Sequence, residues 1–413
     1  MKAMFAYEHK FCRDESGKYY SPGHFPYRLW QRYLEVFDEL VVVGRVRKML
    51  PWEKIESMDL SNGPKVSFVE VPSISNPWSM LFAHREAERK IREALVDCDA
   101  LIVRTSAIGL LASRIAEKLH KPWAVEVVGC AFDAMWHHGS LQGKLYAPFA
   151  AYEIRKMIHK APYALYVTQK FLQNRYPCQG HAVGCSDVQL GKMDQEILEK
   201  RLRKIDQAKP VFKIGLIGSL VHSHKGIETA LNALGMIRDR MPAFEFNILG
   251  GGDPQRWREA AKYYGVDSQT VFCGILTSGA AVNSWLDEVD LYIQPSLVEG
   301  LPRALVEAMS RGCPALGSNV GGIPELLDTE CLHKPGDAGA LARNLETAIN
   351  DKRWQASQAA INFHKATAFE SEALHDIRQK FWLDFRTYCK NTSAAASDET
   401  RRSSYALTRK TIP

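Results

Sequence analysis

The chain alternates between short runs of aliphatic and β-branched residues and longer segments whose apolar positions recur three and four apart. In the first half the runs are KAMFAY, ELVVVGR, VSFVEV, ALIVR, WAVEVV and ALYVTQ, and LFAHREAERKIREALVD and IGLLASRIAEKLH between them carry the helical spacing. Strands apolar on both faces that take turns with helices predict a parallel sheet covered on both sides. From Phe212 the alternation restarts with FKIGLIG, FEFNILGG, TVFCGI and DLYIQPS, each followed by a loop and a helical segment. Between the halves, MDQEILEKRLRKIDQAKP is charged, poor in apolar residues and closed by Pro210, which predicts an exposed connector. Two doubly wound α/β units follow, spanning 1–190 and 211–370 with a linker over 191–210, and ligands are expected at the carboxyl ends of the strands that face the gap. The last stretch, NTSAAASDETRRSSYALTRKTIP over 391–413, has no periodicity and predicts a disordered, solvated tail.

The stretch QPSLVEGLPRALVEAM, Gln294 to Met309, carries the clearest chemistry. Its start closes a buried strand, and Pro302 favours extended geometry at Leu301 while suiting the first turn of a new helix. Glu299 is thus expected in a loop and Glu307 about one turn inside the helix. Two carboxylates can then reach one cleft from different heights, with the free amides of a helix N-terminus between them. Such an arrangement suits a ligand with a diphosphate in its middle and hydroxyls at both ends, because carboxylates accept hydroxyl protons and clustered amides hold phosphate. Taken alone, a glutamate pair is more often solvated surface.

Composition narrows the setting. The chain has 413 residues, with 46% hydrophobic and 24% charged, enough apolar side chain for two cores. A net charge of +6 is too weak to name nucleic acid as a partner, though it is compatible with an anionic substrate or membrane face. Nine cysteines are scattered without a CxxC pair or zinc-finger spacing, as expected for a reduced compartment, and MKAMFAYEHKF lacks the apolar core of a signal peptide. The expectation is a cytoplasmic protein. His222, Ser223 and His224 lack a third ligand for a metal, and GGGD at Gly250 to Asp253 reads as a turn allowing close backbone approach.

EGLPRALVEAM followed by RGCPALGSNVGGIPELL resembles the donor-site signature of retaining glycosyltransferases of family 4, which have the GT-B fold of two Rossmann-like domains. The EX7E spacing of Glu299 and Glu307 matches, as does GGIPEL at Gly321 to Leu326. IGSLVHSHKGIETALNAL resembles the family's glycine loop, and VFCGIL at Val271 to Leu276 the strand and loop that bind the base. The resemblance implies a nucleotide-diphosphate sugar as donor. Glu299 would contact hydroxyls of the transferred sugar, Glu307 the ribose, Lys225 the diphosphate, and the amides of Arg303 and Ala304 the distal phosphate. A lysine and helix amides would stabilise the charge that builds on the departing diphosphate, so no metal or other cofactor is required. One departure stands out: Gly218 is followed by Ser219, where many members carry a phosphate-clamping arginine, a place Arg303 would fill.

The first half resembles the acceptor domain of bacterial members that build exopolysaccharide, capsule or lipopolysaccharide. Where many relatives have a histidine this chain has Val128, and where the exopolysaccharide branch often has an aspartate it has Cys130; Asp133, His137 and His138 are alternative polar groups. GKLYAPFAAYEIRKMIHKA, Gly143 to Ala161, reads either as a helix packed on the sheet or as a segment resting on anionic lipid. In this fold, FHKATAFESEALHDIRQKFWLDFRTYCK would cross back to the first domain over 371–390, with Phe381, Trp382 and Phe385 as its aromatics. The resemblance implies retaining transfer to a hydroxyl of a growing, lipid-linked glycan, with front-face attack in the absence of a nucleophile pair. The alternatives are a nucleotide-sugar 2-epimerase or phosphorylase, and a non-catalytic scaffold in a polysaccharide assembly complex.

Overall fold

The computed structural model describes residues 1–408 apart from 23–24, 51–52, 54, 56–57, 75–76 and 137–140. Strands β1 (Lys2–Arg13), β2 (Tyr19–Ser21), β3 (Glu39–Lys48), β4 (Asp59–Leu60), β5 (Val66–Glu70), β6 (Ala100–Arg104), β7 (Trp123–Val127), β8 (Tyr163–Tyr166) and β9 (His181–Gly184) form one sheet. Its parallel part runs β5-β3-β1-β6-β7-β8-β9, and the far end of β1 folds into an antiparallel ribbon with β2 and then β4. The second sheet holds β10 (Phe212–Ile217), β11 (Phe244–Leu249), β12 (Thr270–Phe272), β13 (Leu291–Gln294), β14 (Ala315–Ser318) and β15 (Leu332–His333). Its order, β12-β11-β10-β13-β14-β15, reverses direction at β10, the switch point where doubly wound sheets bind ligands. The predicted α/β pair of Rossmann-like sheets is what the chain forms.

Each sheet is buried on both faces. In the first, Met4, Val43, Leu101 and Val125 pack under the helices of one side. On the other side Phe5, Val42, Ile102 and Ala124 meet Trp30, Tyr33, Phe381, Trp382 and Phe385. The last three belong to the helix Ser371–Thr408, which therefore returns to the N-terminal sheet. It is fixed there by more than packing, since Arg378 donates to the Ser186 carbonyl at 2.6 Å. Arg378 joins Arg32 and Arg104 around Asp187, and although burial pushes that carboxyl up, the three guanidinium groups hold it well below the usual carboxylate range. Arg104 also pairs with Glu126 at 2.6 Å, and Tyr33 donates to the same carboxylate at 2.7 Å. These groups come from far-apart segments, so no local pattern announces them.

Two expectations need correction. The connector is not simply an exposed link: Gln195–Asp206 is a helix whose Leu198, Arg201 and Ile205 are buried. Arg201 donates to the carbonyls of Leu286, Val289 and Arg311, which binds this helix to the C-terminal domain. A stripe this narrow, with an arginine as one of its buried members, disappears in a charge-rich run. The expected tail also differs, because helix continues through Asn391 as far as Thr408. An already nucleated helix propagates at little cost through strong helix formers such as Ala394 to Ala396.

Candidate active site

The loop after β13 and the helix Arg303–Ser310 build the polar wall of a gap between the two sheets. Gln294 and Ser296 are fully buried, and Glu299 nearly so. One carboxylate oxygen of Glu299, Oε1, receives Lys225 Nζ at 2.6 Å, Ser296 Oγ at 2.8 Å and Gln294 Nε2 at 3.1 Å. Tyr292 extends the chain by donating to Gln294 Oε1 at 2.7 Å. Such a network fixes the rotamer of Glu299, and among the described residues Oε2 receives no donor.

Lys225 is placed by glycines. It ends a short turn before Gly226, whose φ of 71° lies in the left-handed region. Its stem lies on Gly218, where an added Cβ would fall 2.7 Å from Lys225 Cγ. A side chain at 218 would thus push the ammonium off Glu299. The next residue, Ser219, accepts the Val221 amide at 3.3 Å, a local turn that leaves the loop compact. Gly250 supports the same loop from behind, since a Cβ there would meet the Gly218 carbonyl at 1.9 Å. Beyond it, Ile275 is 78% exposed and lies against Gly251.

The helix Arg303–Ser310 begins after Pro302 without a side-chain cap, and among the described residues the amides of Arg303 and Ala304 have no acceptor. Glu307, one turn on, is half-buried and its carboxylate has no hydrogen-bond partner among the described residues. Burial raises its pKa above the ordinary 4.5, with Arg303 pulling the other way. Both glutamates lie close to the buried Tyr292 hydroxyl: burial chiefly pushes that group's ionisation far up, and the charges of Glu299 and Glu307 add to it. The two carboxylates therefore do flank one helix start, as the sequence spacing predicts. Arg303 itself is exposed and forms no ion pair among the described residues.

The opposite wall is of another kind. A cavity of about 340 Å³ lies between Tyr7, Thr105, Val128, Gly129, Cys130 and Ala131 of the first domain and His224, Lys225, Val298, Glu299 and Gly300 of the second. Both sheets thus present the carboxyl ends of their strands to it. A shift in the β1–β3 register between Ala6 and Lys10 accompanies the position of Tyr7 at this edge. Cys130 is buried with Sγ 3.2 Å from the Tyr176 hydroxyl, and burial pushes its thiol up, away from a reactive thiolate. Asp133 is committed to Arg175 at 3.1 Å. His137 and His138 lie outside the described residues. Among the described residues no group of three or more His, Cys, Asp or Glu side chains is arranged to hold a metal.

Sequence reasoning did not single out Gln294 and Ser296, the residues that hold Glu299, although both stand in the quoted stretch. It also passed over Tyr7 and Thr105, which reach the gap only because β1 and β6 are neighbours in the sheet.

Comparison with known proteins agrees with this fold. Residues 211–351 match the family described as Glycosyl transferases group 1. Protein CapJ of Staphylococcus aureus is 34% identical over 370 residues, covering 89% of this chain and 92% of its own. The amylovoran biosynthesis glycosyltransferase AmsK of Erwinia amylovora is 30% identical over 39% of this chain and 42% of its own. Among solved structures, sucrose-phosphate synthase of Thermosynechococcus elongatus superposes with a TM-score of 0.63 at 17% identity, covering 95% of this chain and 99% of its own. HepE of Anabaena in complex with UDP does so at 0.61 and 16%, covering 91% and 98%. Two facing Rossmann-like sheets, a carboxylate and lysine locked together at the switch point, and a relative matching along nearly its whole length lead to one conclusion: the chain belongs to the group 1 glycosyltransferases and has the GT-B fold.

Proposed function

We propose that the chain is a retaining glycosyltransferase that moves a sugar from a nucleotide-diphosphate donor to a hydroxyl of a growing, lipid-linked surface polysaccharide. The observation that carries this reading is the Glu299–Lys225 clasp beside the uncapped helix start at Arg303. Oε2 of Glu299 is open to sugar hydroxyls, while Lys225 and the amides of Arg303 and Ala304 suit a diphosphate. Glu307, half-buried and without a hydrogen-bond partner among the described residues, suits the ribose hydroxyls. Support for a nucleotide sugar also comes from HepE, which is solved with UDP and with UDP-glucose. That AmsK is named for amylovoran biosynthesis supports a polysaccharide acceptor.

In the front-face reaction the bond from the anomeric carbon to the phosphate oxygen breaks, and the acceptor oxygen bonds the same face of that carbon. The acceptor's proton passes to the departing phosphate oxygen. Lys225 and the helix amides offset the charge that develops there, and need no reorganisation to do so. A lipid-linked acceptor is supported by the helix Leu141–Lys160, which buries Ala147, Ile154 and Ile158 and turns Leu145, Phe149 and Tyr152 outward. Arg155, Lys156 and Lys160 follow on its exposed side, a distribution suited to an anionic membrane face. In cells this reading places the enzyme in the cytoplasm, at the inner face of the membrane.

The test is an assay of nucleoside diphosphate release from a panel of nucleotide sugars, with the anomeric configuration of the transferred sugar read by NMR. Release from at least one donor and an unchanged anomeric configuration are expected. Failure to bind any donor would favour a scaffold, and inversion would remove the front-face mechanism.

A further inference from the structure

The GGIPEL turn reaches across the gap. Glu325, in the C-terminal domain, accepts three successive backbone amides of the N-terminal domain: Gln169 at 2.6 Å, Lys170 at 3.0 Å and Phe171 at 2.6 Å. These open the helix Phe171–Arg175, whose own N-cap position, Lys170, supplies no side-chain cap. Thr168 Oγ1 accepts the Leu172 amide at 3.0 Å, but the three amides before it are capped from more than 150 residues away, in the other domain. A carboxylate shared by three amides at a helix start makes charge-assisted bonds, and separating the domains would leave the carboxylate and all three donors without these partners at once.

The same turn grips the Glu299 loop. Gly322 donates its amide to the Gly300 carbonyl at 2.6 Å. Gly321, at φ 60°, sits so close that an added Cβ would fall 2.3 Å from the Glu299 carbonyl oxygen. Gly322 also lies beside Thr168, where an added Cβ would be 3.3 Å from Cγ2, and Gly300 faces the Val128 carbonyl across the gap. One continuous path therefore joins the loop at 168–171, Glu325, Gly321–Gly322, Glu299 and Lys225.

We propose that Glu325 is a positioning residue that latches the two domains in the closed arrangement and thereby sets Glu299 against the acceptor wall. It touches no reacting atom. Its contribution to turnover rests on the glycosyl-transfer reading, but the latch itself is observable without activity. When the carboxylate is bonded, closure excludes water from the gap and brings the acceptor wall to the donor wall. When the bond is lost, the donor wall stays intact within its own domain while the gap opens.

The experiment uses the full chain and two variants, Glu325→Gln and Glu325→Ala, followed by small-angle scattering and by kinetics. Glutamine has one acceptor oxygen in place of two and carries no charge, so both variants are expected to show a larger radius of gyration than the wild type. Their kcat should fall about tenfold or more, with the Kd for the nucleoside diphosphate alone changing less than about twofold, and Glu325→Asp should recover part of kcat. Radii and kcat equal to wild type in folded variants would overturn the proposal, as would an equal loss of nucleotide affinity. Should either variant fail to fold, hydrogen exchange in the wild type decides: the amides of 169–171 should be protected, and exchange there at the rate of a free loop would refute the latch. Opening of the variants in a protein that releases no nucleotide would sustain the latch while removing the catalytic reading.

Discussion

The two walls of the gap are built on the same kind of sheet edge yet differ in chemistry. The C-terminal wall is a wired polar surface, in which Tyr292, Gln294, Ser296 and Lys225 fix Glu299 through direct bonds. The N-terminal wall offers Tyr7 and Thr105 among Val128, Gly129, Cys130 and Ala131, with Cys130 turned into its own domain. Charge is arranged where a diphosphate is proposed to leave, and shape is arranged where an acceptor is proposed to enter. Differences in acceptor choice can then arise from contour on one wall without disturbing the charge network on the other.

Substitutions that break this contrast should rank in order. Glu299→Gln is expected to cost most, about 3 kcal/mol or roughly a hundredfold in kcat, with a much smaller loss of nucleotide affinity, because it removes the charge that Lys225, Gln294 and Ser296 converge on. Steady-state kinetics beside calorimetry reads this, and a loss of affinity with kcat unchanged would place Glu299 in binding alone. Lys225→Ala comes next, at about 2–3 kcal/mol in transition-state stabilisation, and should weaken the nucleoside diphosphate as well. Turnover like that of the wild type would remove the lysine from the phosphate.

Glu307→Ala should chiefly weaken nucleotide binding, by about 1.5–3 kcal/mol if the ribose hydroxyls bond a charged group. The pH dependence has a defined sign. Burial holds this carboxyl above its ordinary 4.5, so the folded chain binds that proton more tightly than the unfolded one. Ionisation there costs stability once pH rises past the ordinary carboxylate range, and the full cost is present above the raised folded value. A ligand donating hydroxyls favours the ionised form, so affinity should fall as pH drops through that raised value. Calorimetry across pH should show this fall in the wild type and not in Glu307→Gln. The smallest effect is expected on the other wall: Cys130→Ser gives Tyr176 a hydroxyl partner in place of a thiol and should change kcat/KM by less than about tenfold.

Much of this was readable along the chain. The strands of both sheets are dense in buried aliphatic residues, so KAMFAY, ALIVR, FKIGLIG and DLYIQPS declare themselves. The EX7E spacing announces a loop carboxylate and a helix carboxylate at one helix start, because Pro302 fixes where that helix begins. Short or exposed pairings such as β2, β4 and β9 carry no such run; β9 is exposed for half its length. The helix at Gln195–Asp206 was hidden by its charge and is held by Arg201, whose carbonyl acceptors lie some 85 to 110 residues away. Glu325 stood in a recognised motif, but its acceptor role depends on how the domains meet, which no spacing within one segment encodes.

A structure of the chain with a nucleoside diphosphate bound tests the central claim most directly. The distal phosphate should accept from the amides of Arg303 and Ala304, with Lys225 Nζ within ion-pair distance and Glu307 bonded to the ribose. A diphosphate seated away from the Arg303–Ser310 helix start, with Glu299 and Lys225 still clasped to one another and untouched by ligand, would contradict it.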